Sequence, residues 1–204
     1  MLGMLRSVIA QPVMRGIAVA GLACSLVQAG LLSFLVTYLN LGLGLSLVTA
    51  GLVLTASQLA AVVGRMAWGW VSDRLGDPLR VLAVISLLSG LDCIALGLMR
   101  GTWPVALHML VAAGFGATAV SWNGVFLGGI ARHAPPGQVA QVTSGVMVGV
   151  YLGALLGPLL YSVLLAASGR YETGFLLFSV IAFAAAVVIH SIRGKARRAA
   201  GASA

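Results

Sequence analysis

Charge is what this sequence has least of: 8% of its residues are Asp, Glu, Lys or Arg, and only 4 of them are acidic. A soluble domain carries about 25% charged residues, so a fold that covers itself in water is excluded. The 12 basic residues stand singly between apolar runs except for Arg193, Lys195, Arg197 and Arg198. Scattered cations make no stripe that could track phosphates, which excludes nucleic acid as a partner. Cysteine is scarce as well. Cys24 and Cys93 both lie inside apolar runs and read as small buried hydrophobes, not as a disulfide framework. His108, His133 and His190 are far apart and never adopt a metal-ligand spacing. No metal, cofactor or enzyme class is implied.

What fills the chain instead is apolar: 60% of residues, with a mean hydropathy of +1.07. Crossing a bilayer takes about 20 apolar residues in a helix. Such runs occur at 16–39, 47–71, 81–99, 103–130, 139–167 and 175–192. The first run exceeds the ~7–15-residue core of a signal peptide, so a span is expected there. The breaks between runs hold turn formers such as Asp77-Pro78, Pro135-Pro136-Gly137 and Ser168-Gly169. Short alternating segments of the outer-membrane barrel type are missing. The fold class is all-α, a polytopic membrane protein of about six transmembrane helices.

An even number of spans puts both termini on one side. Arg6, Arg15, Arg74, Arg80, Arg132, Arg193, Lys195, Arg197 and Arg198 fall on that side, Arg100 and Arg170 fall opposite, and Arg65 lies within the second span. Excess cations mark the cytoplasmic side, so a protein of the cytoplasmic (inner) membrane with both termini inside is expected. Its organisation reads as a cytoplasmic segment 1–15, a six-helix body 16–192 and a basic cytoplasmic tail 193–204. Tyr38, Trp103 and Tyr171 near outer ends, and Trp68 and Trp70 near an inner end, read as interfacial anchors. Gly145, Gly149, Gly153 and Gly157 recur every four residues along one face of the fifth span, a surface that lets another helix approach closely. Gly114-Phe115-Gly116 loosely matches a dinucleotide fingerprint but sits mid-span with no strand before it, so helix packing is its reading.

The break after the second span reads Gly69-Trp70-Val71-Ser72-Asp73-Arg74-Leu75-Gly76-Asp77-Pro78-Leu79-Arg80. Through Gly69, Asp73, Arg74 and Gly76 it resembles the signature loop of the major facilitator superfamily, while Asp77 and Pro78 stand where that family usually has basic residues. Gly64-Arg65 before the loop, Gly157-Pro158 in the fifth span and Ser168-Gly169-Arg170-Tyr171 before the sixth agree with the resemblance, which covers essentially the whole chain. It implies a transporter fold of twelve spans in two halves, each a 3+3 inverted repeat. This chain then resembles the C-terminal half, with 1–15 similar to the end of the central cytoplasmic loop. In the family the loop is a conformational latch between halves, a role that the resemblance carries to Asp73 and Arg74. From chemistry alone, Gly69 and Gly76 permit close approach and a tight turn, and Asp73 can cap a helix N-terminus.

Two ionisable residues lie within spans, where a charge is costly and demands a reason. Asp92, in span three, is a proton-coupling carboxylate, or else it is neutral or paired with Ser89. Arg65 is expected to have a protein partner, as a tie at a helix interface, with binding of an anionic solute as the alternative. Among uncharged groups, Gln28, Gln58, Asn123 and Tyr151 lie near the middle of spans one, two, four and five. The resemblance makes these spans the ones that line a substrate cavity, and transporter sites lie near the midplane. Interhelical hydrogen bonding is the competing reading for each.

The function expected from these features is secondary-active transport of a small solute by alternating access, as half of a major facilitator transporter. Proton coupling is one option. The partners are the lipid bilayer and a second six-helix half, either another copy of this chain or a separate one. The alternative is a truncated, non-transporting membrane fragment or assembly subunit.

Overall fold

The computed structural model describes residues 11–201, with side chains as far as 194. Arg6 and part of the 1–15 segment lie outside the described residues, as do the side chains of Lys195, Arg197 and Arg198. Among the described residues, six helical spans are long and apolar enough to cross a membrane. The first span is α1 (Pro12–Thr37) with a terminal π-helical turn at Tyr38–Gly42, and the second is α2 (Leu47–Leu75). The third is α3 (Pro78–Gly97). The fourth is made of two helices, α4 (Val105–Ala119) and α5 (Asn123–His133). The fifth and sixth are α6 (Val139–Ser168) and α7 (Tyr171–Gly201).

The punctuation has local causes. Pro12 and Pro78 open α1 and α3, where a missing N–H costs nothing. Ser46 caps α2 by accepting the Thr49 N–H at 3.1 Å. Gly76 and Gly169 end α2 and α6 with φ of 59° and 67°, a left-handed geometry that glycine adopts without strain. Loops this short force successive spans to run antiparallel. Six crossings therefore bring the start of α1 and the far part of α7 to one end, called the terminal end below; the other is the distal end.

The spans pair as one with five, two with four, and three with six. Exchanging each span with the one three places along carries the first pair onto the second and the third pair onto itself, as a 3+3 inverted repeat requires. Both symmetry-related pairs close on glycine. A Cβ at Gly153 would run into the Leu22 carbonyl, and one at Gly157 into that of Leu26. Gly149 would meet Ala18 O at 3.1 Å, and Gly145 is buried on the same face. Between spans two and four, Gly116 abuts the Ser57 carbonyl and Gly64 comes against Ala117. Small residues thus let backbones touch where no hydrophobic effect drives association.

Two apolar clusters fill the body, one toward each end. The distal cluster holds Tyr38, 0% exposed, whose hydroxyl donates to Leu96 O at 3.0 Å and whose ring lies 4.7 Å from that of Phe175. Tyr38 is therefore an interior strut, not an interfacial anchor. Trp68 is likewise turned inward, donating its indole N–H to Ala117 O at 2.6 Å. Between the clusters runs a layer of buried hydroxyls: Ser25, Ser57, Ser86, Ser89, Thr118 and Ser121.

Candidate functional site

Gln28 sits half-buried in that polar layer, on span one. Its Oε1 accepts the Trp122 indole N–H at 2.8 Å. Trp122 is 1% exposed and stands in the break between α4 and α5, directly before Asn123. The apolar run over 103–130 reads as a single span; the structure interrupts it at Val120-Ser121-Trp122, directly before Asn123. Asn123 is half-buried and makes no hydrogen bond to a described residue. Trp122 thereby brings Gln28 and Asn123 to one level of the bundle.

Beside Gln28 lies a recess of about 420 Å³ lined by Ser25, Gln28, Ala29, Leu32, Ser33 and Ala154. Pro158 stands inside α6, four residues after Ala154, and has no N–H to give it. The Ala154 carbonyl is thus a spare acceptor at the wall of the recess. Tyr151, one turn away, is 71% exposed. Ser25, Ser33 and Ala154 were not singled out from sequence. The spacing Ser25, Ala29, Ser33, which puts three small residues on the Gln28 side of one helix, was the available signal.

Gln58 and Arg65, seven residues apart on α2, share one helix face, and both are exposed. Arg65 has no ion pair or hydrogen bond among the described residues. The tie expected for it is missing for a geometric reason: Gly64 is the residue that packs on span four, and each residue is rotated about 100° from the last. Arg65 is consequently turned off the packed line. Gln58, Asn123 and Tyr151 are not linked to one another by any hydrogen bond among the described residues.

Asp92 faces a different neighbour from the one expected. Thr118 Oγ1 donates to Asp92 Oδ2 at 2.7 Å, whereas Ser89 donates to Ile85 O at 2.8 Å. The space comes from Gly114, where a Cβ would sit 2.7 Å from Asp92 Oδ1. Asp92 therefore ties span three to span four and does not border the recess.

In the signature loop, Gly76 forms the turn, and its N–H donates to Ser72 O at 3.0 Å. The Arg74 guanidinium lies 4.4 Å from the centre of the Trp70 ring, a cation–π contact at an exposed edge. Asp73 is exposed in the last turn of α2, without a partner among the described residues. It caps no helix. The cap belongs to Asp77, which accepts the Arg80 N–H at 3.1 Å and pairs with Arg193 Nε at 2.6 Å. A Cβ at Gly69 would meet open space, so no close approach occurs there within this chain. Among the described residues no cluster of His, Cys, Asp or Glu could hold a metal.

A bundle of six apolar helices with internal 3+3 pairing and a polar midplane defines the class, a polytopic membrane protein built as a transporter half-fold. The model of the Major Facilitator Superfamily matches residues 17–203. Over 177 residues the chain is 32% identical to monocarboxylate transporter 11 of Mus musculus, a match that covers 81% of this chain and 38% of that protein. It superposes with a TM-score of 0.78 on the E. coli fucose:proton symporter FucP, at 17% identity, covering 93% of this chain and 45% of the symporter. The chain belongs to the major facilitator superfamily, and it spans less than half the length of either relative.

Proposed function

We propose that this chain forms one six-span half of a secondary transporter that moves a small carboxylate-bearing solute by alternating access. The membrane is the cytoplasmic one, with both termini on the cytoplasmic side, as the bias of basic residues supports. The body over 16–192 is the transporting unit, flanked by cytoplasmic segments 1–15 and 193–204. No enzymatic step belongs to this reading.

The observation that carries it is the uneven cover of the spans. Only 28% and 17% of the apolar stretches of spans two and five are buried, against 50% for spans three and four. Spans two and five are also the ones that carry exposed Gln58, Arg65 and Tyr151. Polar groups facing hydrocarbon are costly, so these faces suit a second six-helix body and an enclosed cavity better than lipid. A solute carboxylate supplies the counter-charge that Arg65 lacks among the described residues, and a relative's printed name, monocarboxylate transporter, belongs to the same chemistry.

The test is uptake of a labelled short-chain monocarboxylate by proteoliposomes holding the transport-competent assembly. Losing a charge-assisted contact is expected to lower uptake by Arg65→Gln about tenfold or more. Arg65→Lys is expected to recover part of it. Unchanged uptake by Arg65→Gln, with the protein folded, contradicts the assignment.

A further inference from the structure

Spans three and six enclose a groove of about 840 Å³ on their membrane-facing side. On α3 it is lined by Arg80, Val84 and Leu87, and on α7 by Phe183, Val187 and His190. Each helix contributes residues at helical spacing along one face, so the two walls match. Because the helices are antiparallel, the apolar residues of both walls lie toward mid-membrane and the cationic or titratable ones gather at the terminal end. From Arg80 to Leu87 the wall rises about 10.5 Å, a depth that takes acyl chain and leaves a headgroup at the mouth.

The charges at the mouth are not used up by the fold. The side chains of Arg80 and His190 are exposed and have no partner among the described residues. Arg193 also lines the groove. Asp77, beside the mouth, is engaged with Arg193 Nε and with the backbone N–H of Arg80. Arg80 and Arg193, with the Asp77 carboxylate paired to Arg193, sum to one positive charge, which matches the single negative charge of a phosphodiester. The apolar wall is open to lipid: Val84, Leu87 and Val187 are 41%, 48% and 69% exposed.

We infer that this groove is a binding site for an anionic phospholipid, its phosphate held between Arg80 and His190 and an acyl chain laid along Val84, Leu87, Phe183 and Val187. A zwitterionic lipid fills the same apolar wall but offers the mouth no net charge, so the basic residues make the site selective. The site is on the pair of spans away from the proposed cavity face and does not depend on the transport reading.

Native mass spectrometry of the full chain, released from mixed micelles of phosphatidylglycerol and phosphatidylcholine, tests the inference. Phosphatidylglycerol adducts are expected to be retained over phosphatidylcholine, and loss of the Arg80 charge is expected to weaken retention about fivefold. Arg80→Gln combined with His190→Gln removes that selectivity without lowering thermal stability in lipid-free detergent. Leu87→Trp, which fills the apolar wall, lowers retention while leaving Arg80 and His190 in place. Equal retention of the two lipids overturns the inference, as does full retention by the double variant. Inorganic phosphate that stabilises the protein as well as phosphatidylglycerol also overturns it, since that result indicates a free-anion site.

Discussion

Trp122 donates its indole N–H to Gln28 Oε1 at 2.8 Å, joining span one to the point where span four breaks. This bond crosses the bundle at the polar layer, and its acceptor, Gln28, also lines the recess. A ring without the N–H leaves a half-buried amide oxygen unpaired. Trp122→Phe is expected to destabilise the protein by about 0.5–1.5 kcal/mol, read as a lower thermal midpoint in detergent. Pairing it with Gln28→Leu is expected to cost less than the sum of the two single changes, because the oxygen is then gone as well.

The glycine seam between spans one and five gives a graded series. Gly153→Ala drives a Cβ into the Leu22 carbonyl, a backbone atom that cannot swing away. A loss of about 1–3 kcal/mol is expected. Gly149→Ala, with 3.1 Å to the nearest backbone atom, is expected to be milder. Gly51→Ala, a control on span two outside the seam, points into open space and is expected to be neutral or to gain up to about 1 kcal/mol. Thermal midpoints in that order support backbone contact as the basis of the seam, and equal losses at all three positions count against it.

Asp73 and Asp77, four residues apart, are expected to separate transport from stability. Asp77→Ala removes a helix cap and the ion pair to Arg193, so a stability loss of about 1 kcal/mol or more is expected. Asp73 has no partner among the described residues. Asp73→Ala is expected to leave the thermal midpoint unchanged and to slow transport in a competent assembly, because a loop carboxylate that meets a helix end of the other half biases one conformation. Unchanged transport argues against the latch.

The fold was legible because hydropathy is a strong signal over runs of twenty residues, and the turn residues between runs are chemically explicit. The six spans and the half-fold followed from that and from the signature loop. The site was less legible. A mid-span polar residue announces a cost, not its partner, so pairing with Ser89 of the same helix is only one of the readings Asp92 allows, and the structure sets Thr118 of span four against it. The interruption at Val120-Ser121-Trp122 lies inside an apolar run long enough to hide it. Tyr38 near a helix end suggested an anchor, but only the packing shows its ring enclosed by Phe175 and Tyr171.

Topology has a direct check. Cys24 and Cys93 are buried, so background labelling is low. Thr102 and Gln138 lie exposed in connections at opposite ends of the bundle. A membrane-impermeant thiol reagent added outside intact cells is expected to label Thr102→Cys and to miss Gln138→Cys until the membrane is opened. The reverse pattern would invert the protein.

The central claim is that the open faces of spans two and five belong against a second six-helix body, and that transport requires it. A second copy of this chain can supply such a body without inversion, since the halves of this family are related by an axis along the membrane normal. The deciding measurement is the protein mass of the purified chain in detergent, taken together with solute flux from the same preparation in proteoliposomes. The account predicts that flux appears only where the protein mass is at least twice that of one chain, or where a separate six-span partner is present. Robust flux from a strict monomer would contradict it.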